Sequence, residues 1–382
     1  MNSGSVSVRL NPFKTGGVEL PILKDSVPVP WSPYGHILKE RPVFTLHPLF
    51  HAGCYYVQDS SAMFVGHVFR KVLGMRTCAE VKVLDLCAAP GGKTTDLAAS
   101  LREACGERFE LVSNEVMKAR SGVLRTNVAI WGDPNVTVTS ADPAVFGRQM
   151  KGYFDIIVAD VPCSGEGMFR KDPEAEAQWS PELVATCAAR QRRILADVWP
   201  ALKEGGILVY STCTYEDAEN DANLEWAASE LGGEIISPED EFASYGVRLT
   251  RSGNLLKVGE VPGEGQWAGA LVKTAVAPSG PAVMPYTIWS RPSKGEMKGS
   301  KLIPNPDWAL SLAYDHSYPE APVDKQTALR FLHRDSLVLP DAPRGFNVLT
   351  YKGVPLGVVN NLGTRCNNLH PSERRILMDV TL

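Results

Sequence analysis

The sequence predicts an α/β protein with a mostly parallel, doubly wound sheet, flanked by a short N-terminal extension and a small β-rich C-terminal domain. Three observations carry this. Apolar, β-branched runs alternate with helical runs from residue 81 onward. Acids and thiols recur just past the ends of those runs. After residue 301 the pattern changes to short apolar runs separated by Pro and Gly turns.

Residues 1–50 are rich in proline and lack periodicity, so Arg9-Leu10-Asn11-Pro12 and Pro28 to Pro33 read as extended, docked chain. Helical spacing over 57–73 follows Asp59-Ser60, a plausible N-cap. Val81 to Leu86 reads as the first core strand, Ala88 to Lys93 as a small-residue loop and Thr94 to Leu101 as a helix. Strand 109–113 and helix 117–128 follow, then strands 136–139 and 154–159, helix 181–202, strand 207–210 and helix 218–231. Residues 232–236 and 267–273 read as a closing antiparallel pair. The composition of 277–300 suits a linker. The expected domains are therefore 1–50, 51–276 and 301–382.

The 382 residues carry a net charge of −4, unevenly spread. Residues 1–80 and 280–382 are each basic by about +3, and 81–279 is acidic by about −10. This suits a catalytic core between anion-binding modules, and equally suits ordinary surface variation. No run is long and apolar enough to span a membrane, and the first 20 residues lack a signal-peptide core, so the expected address is the cytoplasm, as a monomer. None of the eight cysteines forms a Cys-x-x-Cys pair, and free thiols are expected. All seven histidines lie outside 81–279, which disfavours Ser-His-Asp, Cys-His and His-ligated zinc chemistry in the core; no metal is expected.

Three stretches carry the chemistry. Asp85-Leu86-Cys87-Ala88-Ala89-Pro90-Gly91-Gly92-Lys93-Thr94 has the strand–loop–helix form of a cofactor cradle. It is not a polyphosphate loop, because position 87 is cysteine where that motif needs glycine. Asp85, Glu115, Asp142 and Asp160 all fall near strand ends on one rim of a parallel sheet, where acids bind ribose hydroxyls or cap helices. Asp160-Val161-Pro162-Cys163-Ser164-Gly165 and Ser211-Thr212-Cys213-Thr214 place two thiols at the ends of neighbouring strands. Such thiols are either core filler or nucleophiles.

Asp-x-Cys-Ala-Ala-Pro-Gly-Gly-Lys at 85–93, Asp-x-Pro-Cys-Ser-Gly at 160–165 and Ser-Thr-Cys-Thr at 211–214 resemble, in that order, the Sun/Fmu-type RNA (cytosine-5) methyltransferase family over roughly 50–276. Trp179 to Ala188, Arg190-Gln191-Arg192 and Gly345 to Pro371 further resemble its RsmF-like bacterial rRNA enzymes. The resemblance implies a Rossmann-like methyltransferase core, a PUA-like C-terminal domain and S-adenosylmethionine as cofactor.

Residue by residue, it implies that Cys87, Ala88, Ala89, Pro90, Gly91, Gly92 and Lys93 wrap the cofactor. Glu115 would hold the ribose, Asp142 would face the adenine amino group, and Asp160 would meet the target cytosine and help complete the cofactor site. Cys213 would attack carbon 6, and Cys163 would assist breakdown of the covalent intermediate. The sequence departs from the family at Val161, often proline, and in an N-terminal region expected to lack most of the RNA-binding part that usually precedes Arg9-Leu10-Asn11.

The implied substrate is RNA, small-subunit rRNA or the ribosomal subunit, with tRNA as the alternative. Arg170, Lys171, Arg190, Arg192 and Arg193 are candidate phosphate contacts, or the solvated face of a helix. Arg330, Arg334, Arg344, Arg365, Arg374 and Arg375, with Phe346 and Tyr351, are candidates for an RNA surface, or ordinary surface and core. Two other classes compete: a catalytically silent RNA-binding assembly factor, and a nicotinamide-dependent oxidoreductase, which the loop sequence disfavours.

Overall fold

The computed structural model describes residues 6–76, 80–170, 173–277 and 280–381. Its centre is a ten-stranded mixed sheet. Five parallel strands form the middle, in the order Leu202–Thr212, Phe154–Asp160, Val81–Asp85, Phe109–Asn114 and Val136–Thr139. These runs are Val, Ile and Leu because both faces are covered by helices. Leu84, Val112, Ile157 and Leu208 pack on one face, and Val83, Leu111, Val158 and Val209 on the other.

The order reverses beside Val81–Asp85, which comes first in the chain among these five strands. That reversal opens a crevice at the carboxyl ends, where open α/β sheets bind ligands. Gly265–Lys273 runs antiparallel to Leu202–Thr212 and to Gly233–Ile236, so the expected antiparallel pair forms.

Several local expectations change. The helix expected over 57–73 is Phe64–Gly74, preceded by strand Tyr55–Val57; Asp59 bonds to Ser61 and does not cap it. Helix Pro143–Gln149 was not expected, because only seven residues separate its Asp142 cap from the turn that follows it. The final turn of the helix expected to 202 is a 3-10 turn, and the following strand begins at Leu202 and runs to Thr212. The stretch read as a linker carries Thr287–Trp289, which adds to the sheet edge against Val136–Thr139, and the strand Gly295–Lys298 of a hairpin. Cys105 is disulfide-bonded, so free thiols do not describe every cysteine. Cys78 lies outside the described residues.

Residues 6–50 are more structured than extended chain. Val27–Pro28, Gly35–Leu38, Val6–Leu10 and Tyr55–Val57 form an antiparallel sheet in that order. Its Val8, Leu38 and Tyr55, with Leu49 of the short helix Pro48–His51, share one apolar cluster with Leu329, Phe331, Leu332 and Leu349 of the C-terminal domain. The C-terminal domain is a four-stranded sheet, Glu320–Pro322, Gly345–Tyr351, Val354–Asn361 and Cys366–Asn368, packed with helix Lys325–His333. Among the described residues no helix is long and apolar enough to cross a membrane.

Candidate active site

Parallel pairing sets the site. Asp160 lies opposite Ser211 at the ends of adjacent strands. Three residues past Asp160 comes Cys163, and two past Ser211 comes Cys213. Their Sγ atoms are 3.2 Å apart, within hydrogen-bond reach for sulfur. The bond acts oppositely on its partners. It lowers Cys213 below the ordinary cysteine value, against burial and the Asp160 charge, with Lys93 also favouring the thiolate. The same contact, together with burial, raises Cys163 well above that value.

Asp160 sits between the thiols and the small-residue loop. Its Oδ2 accepts from Lys93 Nζ at 2.9 Å; its Oδ1 accepts from Ser211 Oγ at 2.7 Å and Gln266 Nε2 at 3.2 Å. Gln266 also donates to the Thr212 carbonyl, one residue before Cys213. Burial opposes the Lys93 charge, but Asp160, then Cys213 and Asp85, more than offset it and hold Lys93 above its usual value. Lys93 thus ties the loop to the acid, a pairing that loop spacing does not reveal. Gln266 was also missed: its strand reads as plain antiparallel sheet, and only register brings it to Asp160.

The acidic stretch after Cys213 is scaffold. Glu219 is buried, accepts from Ser164 N and Gln191 Nε2, and is raised above the usual carboxylate value by that burial. Tyr210 donates to its carbonyl. From the other side, Glu166 accepts from the Thr214 hydroxyl and the Tyr215 N–H. The two loops carrying the thiols are therefore cross-linked by hydrogen bonds above and below them.

The small-residue loop turns at Gly91, whose φ of +113° lies in the left-handed region that glycine alone enters freely. Helix Gly92–Cys105 starts there. Cys87 is half-buried and its thiol is pushed up by burial and by neighbouring acids. Beneath the loop, Asp85 is fully buried and accepts from the Thr94 hydroxyl, and burial raises it to about 7.

Of the other rim acids, Glu115 is buried just past Phe109–Asn114; it accepts from Met117 N and lies 3.4 Å from Arg120 Nη1. Arg120 in turn donates to the Ala89 carbonyl, joining that acid to the loop. Val116 and Met117, beside it, are exposed apolar side chains that the sequence reading passed over. Asp142 is exposed and accepts from Ala144 N, so it caps Pro143–Gln149.

The basic candidates divide. Arg170 pairs with Glu264 at 2.7 Å, and Arg192 donates to Asn223 and stacks over Trp226. Arg192 is half-buried and serves the scaffold, whereas Arg170, despite its ion pair, and Arg190 and Arg193 are exposed. Lys171 lies outside the described residues. In the C-terminal domain Arg374 is nearly buried in a pair with Asp307, which removes it from an open surface. Arg330, Arg334, Arg344, Arg365 and Arg375 are exposed, while Phe346 and Tyr351 are half-buried.

Comparison with known proteins agrees with this architecture. The model for 16S rRNA methyltransferase RsmB/F matches residues 74–231. The N-terminal domain of 16S rRNA methyltransferase RsmF matches 2–60, where the sequence reading expects little of that domain, and the methyltransferase RsmF PUA domain matches 319–376.

Ribosomal RNA small subunit methyltransferase F of Pectobacterium carotovorum is 36% identical over 66% of this chain and 52% of its own length. The protein of that name from Klebsiella pneumoniae is 29% identical over 96% of this chain and 89% of its own. The match thus spans about half the length of the first of these relatives.

Among solved structures, a methyltransferase homologue from Pyrococcus horikoshii superposes with a TM-score of 0.57 at 26% identity, over 71% of this chain and 87% of that one. NSun6 from Pyrococcus horikoshii, solved with SFG, shares the fold at a TM-score of 0.56 and 17% identity, over 71% and 91% of the chains. With a Rossmann-like core and matching domains at both ends, the chain belongs to the RsmB/F methyltransferase family.

Proposed function

We propose that the protein methylates carbon 5 of a cytosine in RNA, with S-adenosylmethionine as methyl donor and small-subunit rRNA as substrate. The observation that carries this reading is the thiol pair: two cysteines 3.2 Å apart, one favouring the thiolate and one holding its proton, beside a fixed Asp160–Lys93 pair. The relatives' names support rRNA as the substrate.

The residues present fit the cofactor. Gly91 and Gly92 keep the loop close, Glu115 offers a buried carboxylate for ribose hydroxyls, and exposed Val116 and Met117 offer an apolar face for adenine. Asp142 stands at the next strand end and would face the adenine amino group. When bound, S-adenosylmethionine supplies an electrophilic sulfonium methyl, which carbon 5 of the activated ring takes.

The chain's own residues do the rest. Carbon 5 of cytosine is a poor nucleophile. The Cys213 thiolate forms a bond to carbon 6, and the ring electrons shift toward carbon 5 and the N3 edge. Asp160, held by Lys93, Ser211 and Gln266, hydrogen-bonds that edge and steadies the ring. After methylation a base takes the carbon 5 proton, the pair of the carbon 5–hydrogen bond re-forms the carbon 5–carbon 6 double bond, and the Cys213–carbon 6 bond breaks with its electron pair leaving on sulfur. Cys163, keeping its proton beside the departing sulfur, stabilises the Cys213 thiolate as it is released. Covalent catalysis splits one hard step into easier ones. The base must leave its stack first, at a cost of a few kcal/mol if it is paired.

The test is methyl transfer from labelled S-adenosylmethionine to separate pools of rRNA, small ribosomal subunits and tRNA. Label at a cytosine of rRNA or the subunit, absent with Cys213→Ala, supports the reading. Label in tRNA alone keeps the chemistry and replaces the substrate. Cofactor binding with no transfer to any pool would favour the silent assembly factor.

A further inference from the structure

Arg9 belongs to the N-terminal sheet, yet its guanidinium is fully buried against the helix that closes the cofactor loop. Its Nη2 donates to the Gly92 carbonyl at 3.1 Å and to the Thr95 hydroxyl. Its Nε donates to Gln58 Oε1 at 2.9 Å and lies 3.8 Å from Asp96 Oδ2. Its Cζ sits 4.8 Å from the Trp131 ring centroid. Gly92, Thr95 and Asp96 occupy the first turns of helix Gly92–Cys105, and Lys93, which holds Asp160, lies between them.

The same segment grips the second helix beside the loop. Asn11 Nδ2 donates to the Trp131 carbonyl and Lys14 Nζ to that of Ile130. These carbonyls end helix Lys118–Trp131, where a helix has no partners of its own to offer. Asn127 of that helix donates to the Pro90 carbonyl of the loop.

Burying a guanidinium is costly, and an apolar side chain would fill the same space without that cost. What an apolar residue would not supply is a planar fork that fixes a carbonyl and a hydroxyl at once. We infer that Arg9 is a positioning residue for the cofactor site: from the N-terminal domain, it holds the first turn of Gly92–Cys105 so that Gly91 to Lys93 keep their binding shape. Arg9 itself touches no cofactor. The inference rests on the cofactor reading above, and it makes the N-terminal domain part of the machinery for binding the methyl donor.

Calorimetry of S-adenosylmethionine with the full chain tests it, alongside thermal melts and steady-state kinetics. Arg9→Lys keeps the charge and loses the fork. It is expected to remain folded and to raise Kd and KM for the cofactor about tenfold, the scale at which loss of a supporting partner weakens a site, with kcat at saturating cofactor near wild type. Asn11→Ala, which loses the bond to the Trp131 carbonyl and the one accepted from Phe13 N, is expected to lower the melting temperature and leave Kd within about twofold. Thr95→Val removes the hydroxyl partner from the helix side, so the test holds even if an Arg9 variant fails to fold. It is expected to weaken cofactor binding in the wild type and to add little in Arg9→Lys, the mark of one shared interaction.

A lowered melting temperature with unchanged Kd in both Arg9→Lys and Thr95→Val would overturn the inference and leave Arg9 a structural residue. Wild-type protein that binds no S-adenosylmethionine would overturn the cofactor reading itself, a different result from any variant effect.

Discussion

Cys163 and Cys213 bring their Sγ atoms to 3.2 Å of each other, and that contact sets two chemically identical side chains apart: Cys213 is held below the ordinary cysteine value and Cys163 well above it. Cysteine reactivity follows thiolate content. Brief treatment with iodoacetamide at pH 7 is therefore expected to label Cys213 before Cys163, read by peptide mass spectrometry. In Cys163→Ala that contact is gone, so Cys213 labelling at pH 7 is expected to slow. Faster labelling of Cys163 in the wild type would reverse the assignment of the two thiols.

Lys93 and Asp160 form a second linked pair, at 2.9 Å. Lys93→Met removes the cation that steadies both Asp160 and the thiolate. The expected result is a loss of methyl transfer of about 100-fold or more, on the scale of losing one preorganised electrostatic contact, with a melting temperature within a few degrees of wild type. Activity within about threefold of wild type would reduce Lys93 to a loop residue.

Asp85 gives a pH signature. Burial raises it to about 7 in the folded chain, against ~3.9 for an unfolded aspartate. Between those values the folded state holds a proton that the unfolded state has lost. The stability it contributes is thus full below about pH 4 and is lost as pH rises through about 7, by an amount on the order of a few kcal/mol. Asp85→Asn keeps an acceptor for Thr94 and removes the titration. Relative to the cofactor-free wild type, its melting temperature is expected to rise progressively from pH 5 to pH 8. A pH-independent difference would show that Asp85 is not protonated in the fold.

Asp142 separates capping from cofactor recognition. It accepts from Ala144 N at the start of Pro143–Gln149. Asp142→Ser retains a cap, whereas Asp142→Ala costs about 1 kcal/mol of stability. If the residue also faces the adenine amino group, Asp142→Ser is expected to weaken S-adenosylmethionine binding with little change in melting temperature. Unchanged affinity in both variants would leave Asp142 a helix cap alone.

Much of this was legible in the sequence because it is local. The alternation from Val81 to Leu231 encodes the parallel strands and their helices, and parallel register then carries Asp160, Cys163 and Cys213 to one rim. The missed features depend on long-range pairing. The N-terminal sheet joins Val6–Leu10 to Gly35–Leu38 and Tyr55–Val57, short strands far apart in the chain with little period of their own. Gln266 reaches Asp160 across 106 residues and Arg9 reaches Gly92 across 83, so neither leaves a local pattern. Arg374 looked like free surface charge because its partner Asp307 lies in another element.

Cys213 is expected to bond covalently to the target base, with Cys163 serving its release. The most direct measurement is a denaturing gel of Cys163→Ala incubated with S-adenosylmethionine and labelled rRNA or small subunits. The expected result is a slow-migrating protein–RNA adduct that accumulates in Cys163→Ala and is absent from the Cys163→Ala/Cys213→Ala double variant. An adduct that persists without Cys213, or full methylation by Cys213→Ala with no adduct anywhere, would contradict it.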